Sequence, residues 1–292
     1  MFQKAEEVEQ SESGRSFPMA MWGAAISTTM IIRQHSECER GKEFLQKIQK
    51  DAKWLTKKEL AYIKTAFAQY PSSVHCNTEE AKFVNVVKRL MKAMGTLMKE
   101  FPEESEAALF YVAASTGIVS HSGGRPEDEE IPNDKENVIE ILKDLEKKLP
   151  THSGLYHYTL HVFDTPELFT EGNKIFFNQM IQPIDQKDHS ALMGFRAAEL
   201  YPRVANSSCH ALHMPSHIYM RSGDWSKSLE SNLHSIEVKM IQGVPVHFTV
   251  QCTQCLLIFL STGYFFLGYP VSDQLHDKSD ESMHQFQLTC VS

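Results

Sequence analysis

Residues Asn77–Pro102 read NTEEAKFVNVVKRLMKAMGTLMKEFP. Phe83, Val86, Val87, Leu90, Met94, Leu97, Met98 and Phe101 recur at spacings of three and four, which lays one apolar stripe along a helix. Asn77 followed by Glu80 has capping-box spacing, and Pro102 closes the run. The same grammar recurs along the chain. In NDKENVIEILKDLEKKLP, Asn133 and Glu136 form the cap, Val138, Ile141, Leu142, Leu145 and Leu149 the stripe, and Pro150 the stop. Ser36 with Glu39 and Thr56 with Glu59 are two further boxes. The second opens a run carrying Leu60, Ile63, Phe67 and Tyr70 that halts before Pro71. Each box supplies partners for N–H groups that a first helical turn leaves unpaired. Period-two alternation is missing, so the expected class is all-α, with helices of ordinary length joined by short turns.

The chain has 292 residues, 42% hydrophobic and 23% charged, which is the composition of a folded protein rather than a disordered one. Its net charge of −8 and pI near 6.0 exclude the concentrated basic stripe of a nucleic-acid binder. Six cysteines in so long a chain make no disulfide framework, so the expected surroundings are the reducing cytoplasm. The opening MFQKAEEVEQSESGRS lacks the apolar core of a secretory signal. Cys252 and Cys255 form a lone C-x-x-C without a second pair, a weak signal for metal or redox work.

Two stretches interrupt the helical pattern: the Gly/Pro-rich, acidic His121–Asp134, read as a loop, and Thr165–Asp188, read as an excursion between helices. The chain from Lys239 to Asp273 contains no Asp, Glu, Lys or Arg between those two residues. Leu256 to Val271 is its apolar heart, shorter than the roughly 20 residues of a spanning helix. A buried terminal helix, or an ending that does not belong to the fold, is expected ahead of a membrane anchor. The expected organisation is a polar tail at 1–16, a helical repeat domain at 17–240, and an apolar segment with a polar end at 241–292.

HALHMPSHIYMRSGDWSKSLESNLHSIEVK aligns with the 34-residue tetratricopeptide pattern. Gly223 takes the turn glycine, Tyr219 the helix-A tyrosine and Leu212 the first large slot, while Ser228, Asn232 and Ser235 take helix-B slots. The ordered motifs MAMWGAAIS, TKKELAYIKTAFAQYP, FPEESEAALFYVAAS, THSGLYHYTLHVFDTPEL and CHALHMPSHIYMRSGDWSKSLESNLHSIE extend the match over about residues 17–239. Together they resemble a family of tetratricopeptide-repeat-like proteins common in bacteria. The resemblance implies a superhelix of stacked helical hairpins and no settled enzymatic activity. The chain departs from that family in its longer Thr165–Asp188 stretch and in its uncharged segment after about Lys239.

Histidines supply the chemistry worth weighing. His210, His213 and His217 fall within roughly 60° of one another on a helix. His157 and His161 are one turn apart, a two-ligand spacing for zinc, and Asp164 follows as a ligand or an orienting partner. If the two segments are neighbours, the five imidazoles form a candidate zinc or iron site. Packed polar histidines are the favoured reading, and the metal site is the alternative. Pro215 stands as an obstacle, because it removes a backbone donor between His213 and His217 and either kinks the helix or begins a new one. No HExxH, P-loop, G-x-G-x-x-G or G-x-S-x-G occurs. The expected function is therefore a scaffold binding a protein or peptide partner in a concave groove, a role that needs no cofactor, with enzymatic activity left open. The alternative is a metal-binding protein or metal-dependent enzyme using His157, His161, His210, His213 and His217.

Overall fold

A computed structural model of the chain describes residues 2–13, 17–48, 55–121, 135–164 and 190–241. Its helices are α1 (Phe2–Ser13), α2 (Pro18–Ser27), α3 (Cys38–Ile48), α4 (Lys57–Gln69), α5 (Phe83–Glu100), α6 (Ser105–His121) and α7 (Lys135–Lys148). They continue as α8 (Ser153–Phe163), α9 (Ser190–Val204), α10 (Cys209–His213), α11 (Pro215–Ser222) and α12 (Trp225–Ile241). Extended structure among the described residues is one antiparallel pair of two-residue strands, β1 (Thr29–Met30) and β2 (His35–Ser36). The protein is all-α. The segment read as a polar N-terminal tail is helical in α1.

Local signals had mixed fates. The Thr56–Glu59 box forms, with both reciprocal hydrogen bonds, and opens α4. The stripe of α5 is buried at Phe83, Val86, Val87, Leu90, Met94 and Leu97. Its start, however, lies at Phe83, and Asn77 caps nothing: Glu79–Ala81 form a separate 3-10 turn, and no side chain caps α5. Ser36 likewise is no cap. It lies in β2, its hydroxyl donating to the Ala81 carbonyl at 3.5 Å, and α3 begins at Cys38. The Asn133 cap, the loop at 122–134, Thr165–Asp188, Cys252, Cys255 and the Leu256–Val271 segment lie outside the described residues. Among the described residues no helix is long and apolar enough to cross a membrane.

The chain divides into two compact units, Met1–Pro150 and Thr151–Ser292. In the first, α2 packs on α1, α3 and α4, and then each of α4, α5 and α6 packs on its successor. The α6 sequence is apolar on nearly every side, and Ala107, Ala108, Leu109, Val112, Ala113, Ala114 and Ile118 are all buried, as suits a helix enclosed by neighbours. Trp22 ties α2 to α4 by donating its indole N–H to Thr65 Oγ1 at 3.1 Å, while its ring packs edge-on against Tyr62 and Phe110.

A disulfide joins Cys38, at the start of α3, to Cys76 in the loop after α4. One such bond falls short of the disulfide framework that the cysteine count argued against. The bond closes a loop of 38 residues, which corresponds to about 4 kcal/mol of unfolded-state entropy. Removing it by the Cys38→Ser/Cys76→Ser double substitution is expected to cost about 2–4 kcal/mol in urea unfolding, and reductant should then have no further effect. If reductant leaves the wild-type midpoint unmoved, the bond contributes nothing.

In the second unit α9 packs on α8, and α10 and α11 both pack on α12. Gly194 permits the first contact: a Cβ there would stand 2.9 Å from Phe163 Cβ. Gly223, at φ 73°, makes the tight turn between α11 and α12 without the strain a side chain would add. From α12, Ser228, Asn232 and Ser235 are 0–3% exposed against this pair. Ser231 donates to the Leu212 carbonyl, Ser235 to that of Cys209 and Ser228 to that of Ser216. These short polar side chains let the helices approach closely while pairing backbone oxygens near the Pro215 break.

Candidate metal centre

The second unit brings all five singled-out histidines into one neighbourhood. On α8 the buried face is Leu155, Tyr156, Thr159, Leu160, Val162 and Phe163, which leaves His157 and His161 half-buried beside it. Asp164 follows as the residue capping the α8 C-terminus. Pro215 does interrupt the other helix, and is the first-turn proline of α11. Yet Met214 keeps right-handed helical angles (φ −53°, ψ −36°) and its N–H donates to the His210 carbonyl, so helical winding runs through the junction. The His217 N–H donates to the Met214 carbonyl, and His213 and His217 still meet, their Nε2 atoms 3.2 Å apart. The feared loss of a common face does not occur.

Two groups result. His157 is central to the first: its Nε2 lies 3.1 Å from His161 Nε2 and 3.0 Å from His210 Nε2. One nitrogen from each of these three rings falls within 4.8 Å of the others. Tyr201 of α9 stacks on the His157 ring at 5.4 Å and 14°. The second group is His213 and His217, and the His210 and His213 rings that link the two are 6.4 Å apart. The five imidazoles thus adjoin, without all sharing one centre.

Spacing of this kind has a chemical meaning. With metal–nitrogen bonds of about 2.0–2.1 Å, two ligating nitrogens sit about 3.3–3.4 Å apart in a tetrahedron and about 2.9 Å apart at adjacent octahedral corners. The observed 3.0–3.2 Å separations fall between these limits.

Oxygen atoms orient the second group. His213, 3% exposed, has Nδ1 2.6 Å from Asn232 Oδ1. The Asn232 amide nitrogen donates to the Ser228 carbonyl at 2.8 Å, which fixes its oxygen toward the ring. His217 Nδ1 lies 3.0 Å from Asp164 Oδ2. Arg221 grips the same carboxylate through Nε and donates from Nη2 to the Asp164 carbonyl at 2.8 Å. These oxygens fix the orientation of both rings, and the two Nε2 atoms meet in a hydrogen bond whose donor is set by the tautomers.

Electrostatics favour neutral rings. Burial first, and then the adjacent histidines, push His157 down to about 3 and His161 to about 4. Burial and the His217 charge push His213 to about 4 and lower His210 as well. Burial alone would raise the Asp164 carboxyl, but His217 and Arg221 more than reverse it, so it stays ionised. Neutral imidazole is the form that binds a metal.

Arg221, Asn232 and Tyr201 were not among the residues read as a site. Arg221 is one turn after His217 and so shares its face, which was a usable signal. Asn232 had been read only as a hairpin slot, although an amide is an unusual choice for a fully buried position. Nothing local distinguishes Tyr201. No family model matches the chain, and no curated protein is found to be similar to it.

Proposed function

We propose that the protein binds a first-row transition metal through His157, His161 and His210. The observation that carries this reading is the convergence of three imidazole nitrogens, from two helices separated by about fifty residues, all within 4.8 Å of one another. Burial that holds the rings neutral supports it. Imidazole ligands suit zinc, iron, copper or nickel, and zinc is the natural first probe because it needs no particular redox state. A metal held by these three residues would have a fourth position open to water or substrate and would supply Lewis acidity there.

Thermal unfolding with and without Zn2+ tests the proposal. An ion that binds only the folded state stabilises by RT ln(1 + [L]/Kd), about 2.7 kcal/mol at a hundredfold excess over Kd. The melting temperature should rise with zinc, and less so in His161→Ala. An unchanged melting temperature up to millimolar zinc sinks the reading.

A second reading concerns the scaffold, and the packing of α12 favours it. The small helix-B positions of the tetratricopeptide pattern are the buried ones, and Gly223 makes the turn between α11 and α12. We read α10 to α12 as one such hairpin in a stacked superhelix. A cleft of about 300 Å³ beside it, lined by Glu199, Arg203, Leu212, Tyr219, Lys227 and Glu230, is large enough for a few peptide side chains. Selection from a displayed peptide library tests this: peptides that bind the wild type should fail on Tyr219→Asp, and peptides that bind both equally place recognition elsewhere.

A further inference from the structure

On α12 the stripe that meets α10 and α11 is made of small polar residues, Ser228, Asn232 and Ser235. Beside it, at spacings of four and three, run Leu229, Leu233 and Ile236, which a helix gathers within about 60° of one another. Leu229 and Ile236 are partly exposed and Leu233 is 45% exposed, while Ile241, at the end of the helix, is 77% exposed. The rest of the outward surface is polar: Ser226, Lys227, Glu230, His234 and Glu237 stand exposed. The apolar stripe is therefore a separate face, distinct both from the polar side and from the small-residue side that serves α10 and α11, and a stripe of this kind is one a helix buries against a partner.

The chain itself supplies a matching surface. Directly after α12 comes the stretch without Asp, Glu, Lys or Arg that runs to Asp273, with Leu256–Val271 as its apolar part. Covering the α12 stripe with these residues buries no charge and takes apolar groups of both out of water. The length fits as well. The fourteen residues between Ile241 and Leu256 reach up to about 45 Å when extended, and α12, with 17 residues, is about 25 Å long. Leu256–Val271 can thus reach any point along the stripe. Attachment to the same chain gives it a local concentration there of roughly millimolar, which a free partner rarely matches.

We infer that the Leu229–Leu233–Ile236 face of α12 is the docking surface for Leu256–Val271 of the same chain, which caps the α10–α12 hairpin. This cap is independent of the metal reading and uses none of the histidines.

Photocrosslinking in the full chain tests this. Benzoylphenylalanine is placed at position 233 in place of leucine, and a mixture of isotopically light and heavy protein is irradiated. Mass spectrometry of the crosslinked peptides is expected to join position 233 to residues 256–271 within one chain. Crosslinks that pair light with heavy chains make a second copy the occupant and overturn the inference. Crosslinks confined to other parts of the chain, or none at all, also overturn it. Leu233→Asp gives an independent readout, and circular dichroism checks that the variant keeps its helices. Backbone amides of residues 256–271 are expected to exchange hydrogen at least about tenfold faster in Leu233→Asp than in the wild type, the effect of losing one buried leucine from the contact. Equal exchange in the two proteins overturns the inference, because the segment then gains nothing from α12.

Discussion

His157→Ala is expected to weaken zinc binding at least about 100-fold, beyond the 10–100-fold that loss of an orienting partner typically costs. His157 is the middle ligand: its Nε2 lies 3.1 Å from His161 Nε2 and 3.0 Å from His210 Nε2. Removing it leaves two nitrogens on different helices without the ring that spans them. Competition with a chromophoric chelator measures the change. His75, exposed and in the other unit, provides the control, and His75→Ala should bind zinc as the wild type does. The deleted ring also leaves a cavity beside Tyr201, so the variant is expected to unfold more readily even without metal. Metal-free stabilities of variant and wild type must therefore be compared alongside. Equal zinc affinity in His157→Ala and wild type contradicts the assignment.

Acid should destabilise the metal-free protein strongly, and at a pH where most proteins are little affected. Histidines in the unfolded chain take up protons near 6.5, whereas folded His157, His161 and His213 resist until about 3 to 4. Between those values the unfolded state binds more protons, so unfolding free energy falls as pH falls. The contribution is intact above about pH 7, erodes from about 6.5 downward, and levels off below the folded values. Each unit of depression is worth about 1.4 kcal/mol, so several coupled rings amount to several kcal/mol even after generous discounting. Asp164, whose folded carboxyl is held low, adds a loss of the same sign at the acid end. Urea unfolding in chelator at pH 7.5 and pH 4.5 measures the effect. A flat profile across that interval means the rings are solvated and not enclosed as described. Bound metal steepens the same dependence, because its ligands must shed protons to bind.

The sequence signals that held were those with local causes. The Thr56–Glu59 box depends on atoms three residues apart, and it forms. The α5 stripe depends on 3.6-residue periodicity, and it is the buried face. The signals that failed had tertiary competitors. Thr78 Oγ1 donates to the His75 carbonyl, and Arg89 and Asn85 take the Glu80 and Glu79 carbonyls, so the chain after Asn77 is held in a separate turn. Ser36 is drawn into a strand that pairs with Thr29. Cys38 and Cys76 are brought to a Cα separation of 5.5 Å by the path of α3, α4 and the following loop, which no spacing rule contains.

The site divides in the same way. His157 with His161 and His213 with His217 are i, i+4 pairs, and those pairings were legible as helical neighbours. That His210 would meet His157, and Asp164 meet His217, depends on how α8 packs against α10 and α11. The role of Asn232 was hidden for a further reason. A hairpin slot for a small residue and a hydrogen-bond acceptor for His213 occupy the same position, and the pattern reports only the first.

X-ray absorption at the zinc edge of the zinc-loaded full chain tests the central claim most directly. The metal reading requires a first shell with imidazole nitrogens at about 2.0–2.1 Å, together with the outer-shell scattering of imidazole rings, amounting to three histidines per zinc. That signal should shrink in His157→Ala. A shell made only of oxygen, with no imidazole scattering, or less than about 0.1 zinc per chain, would contradict it.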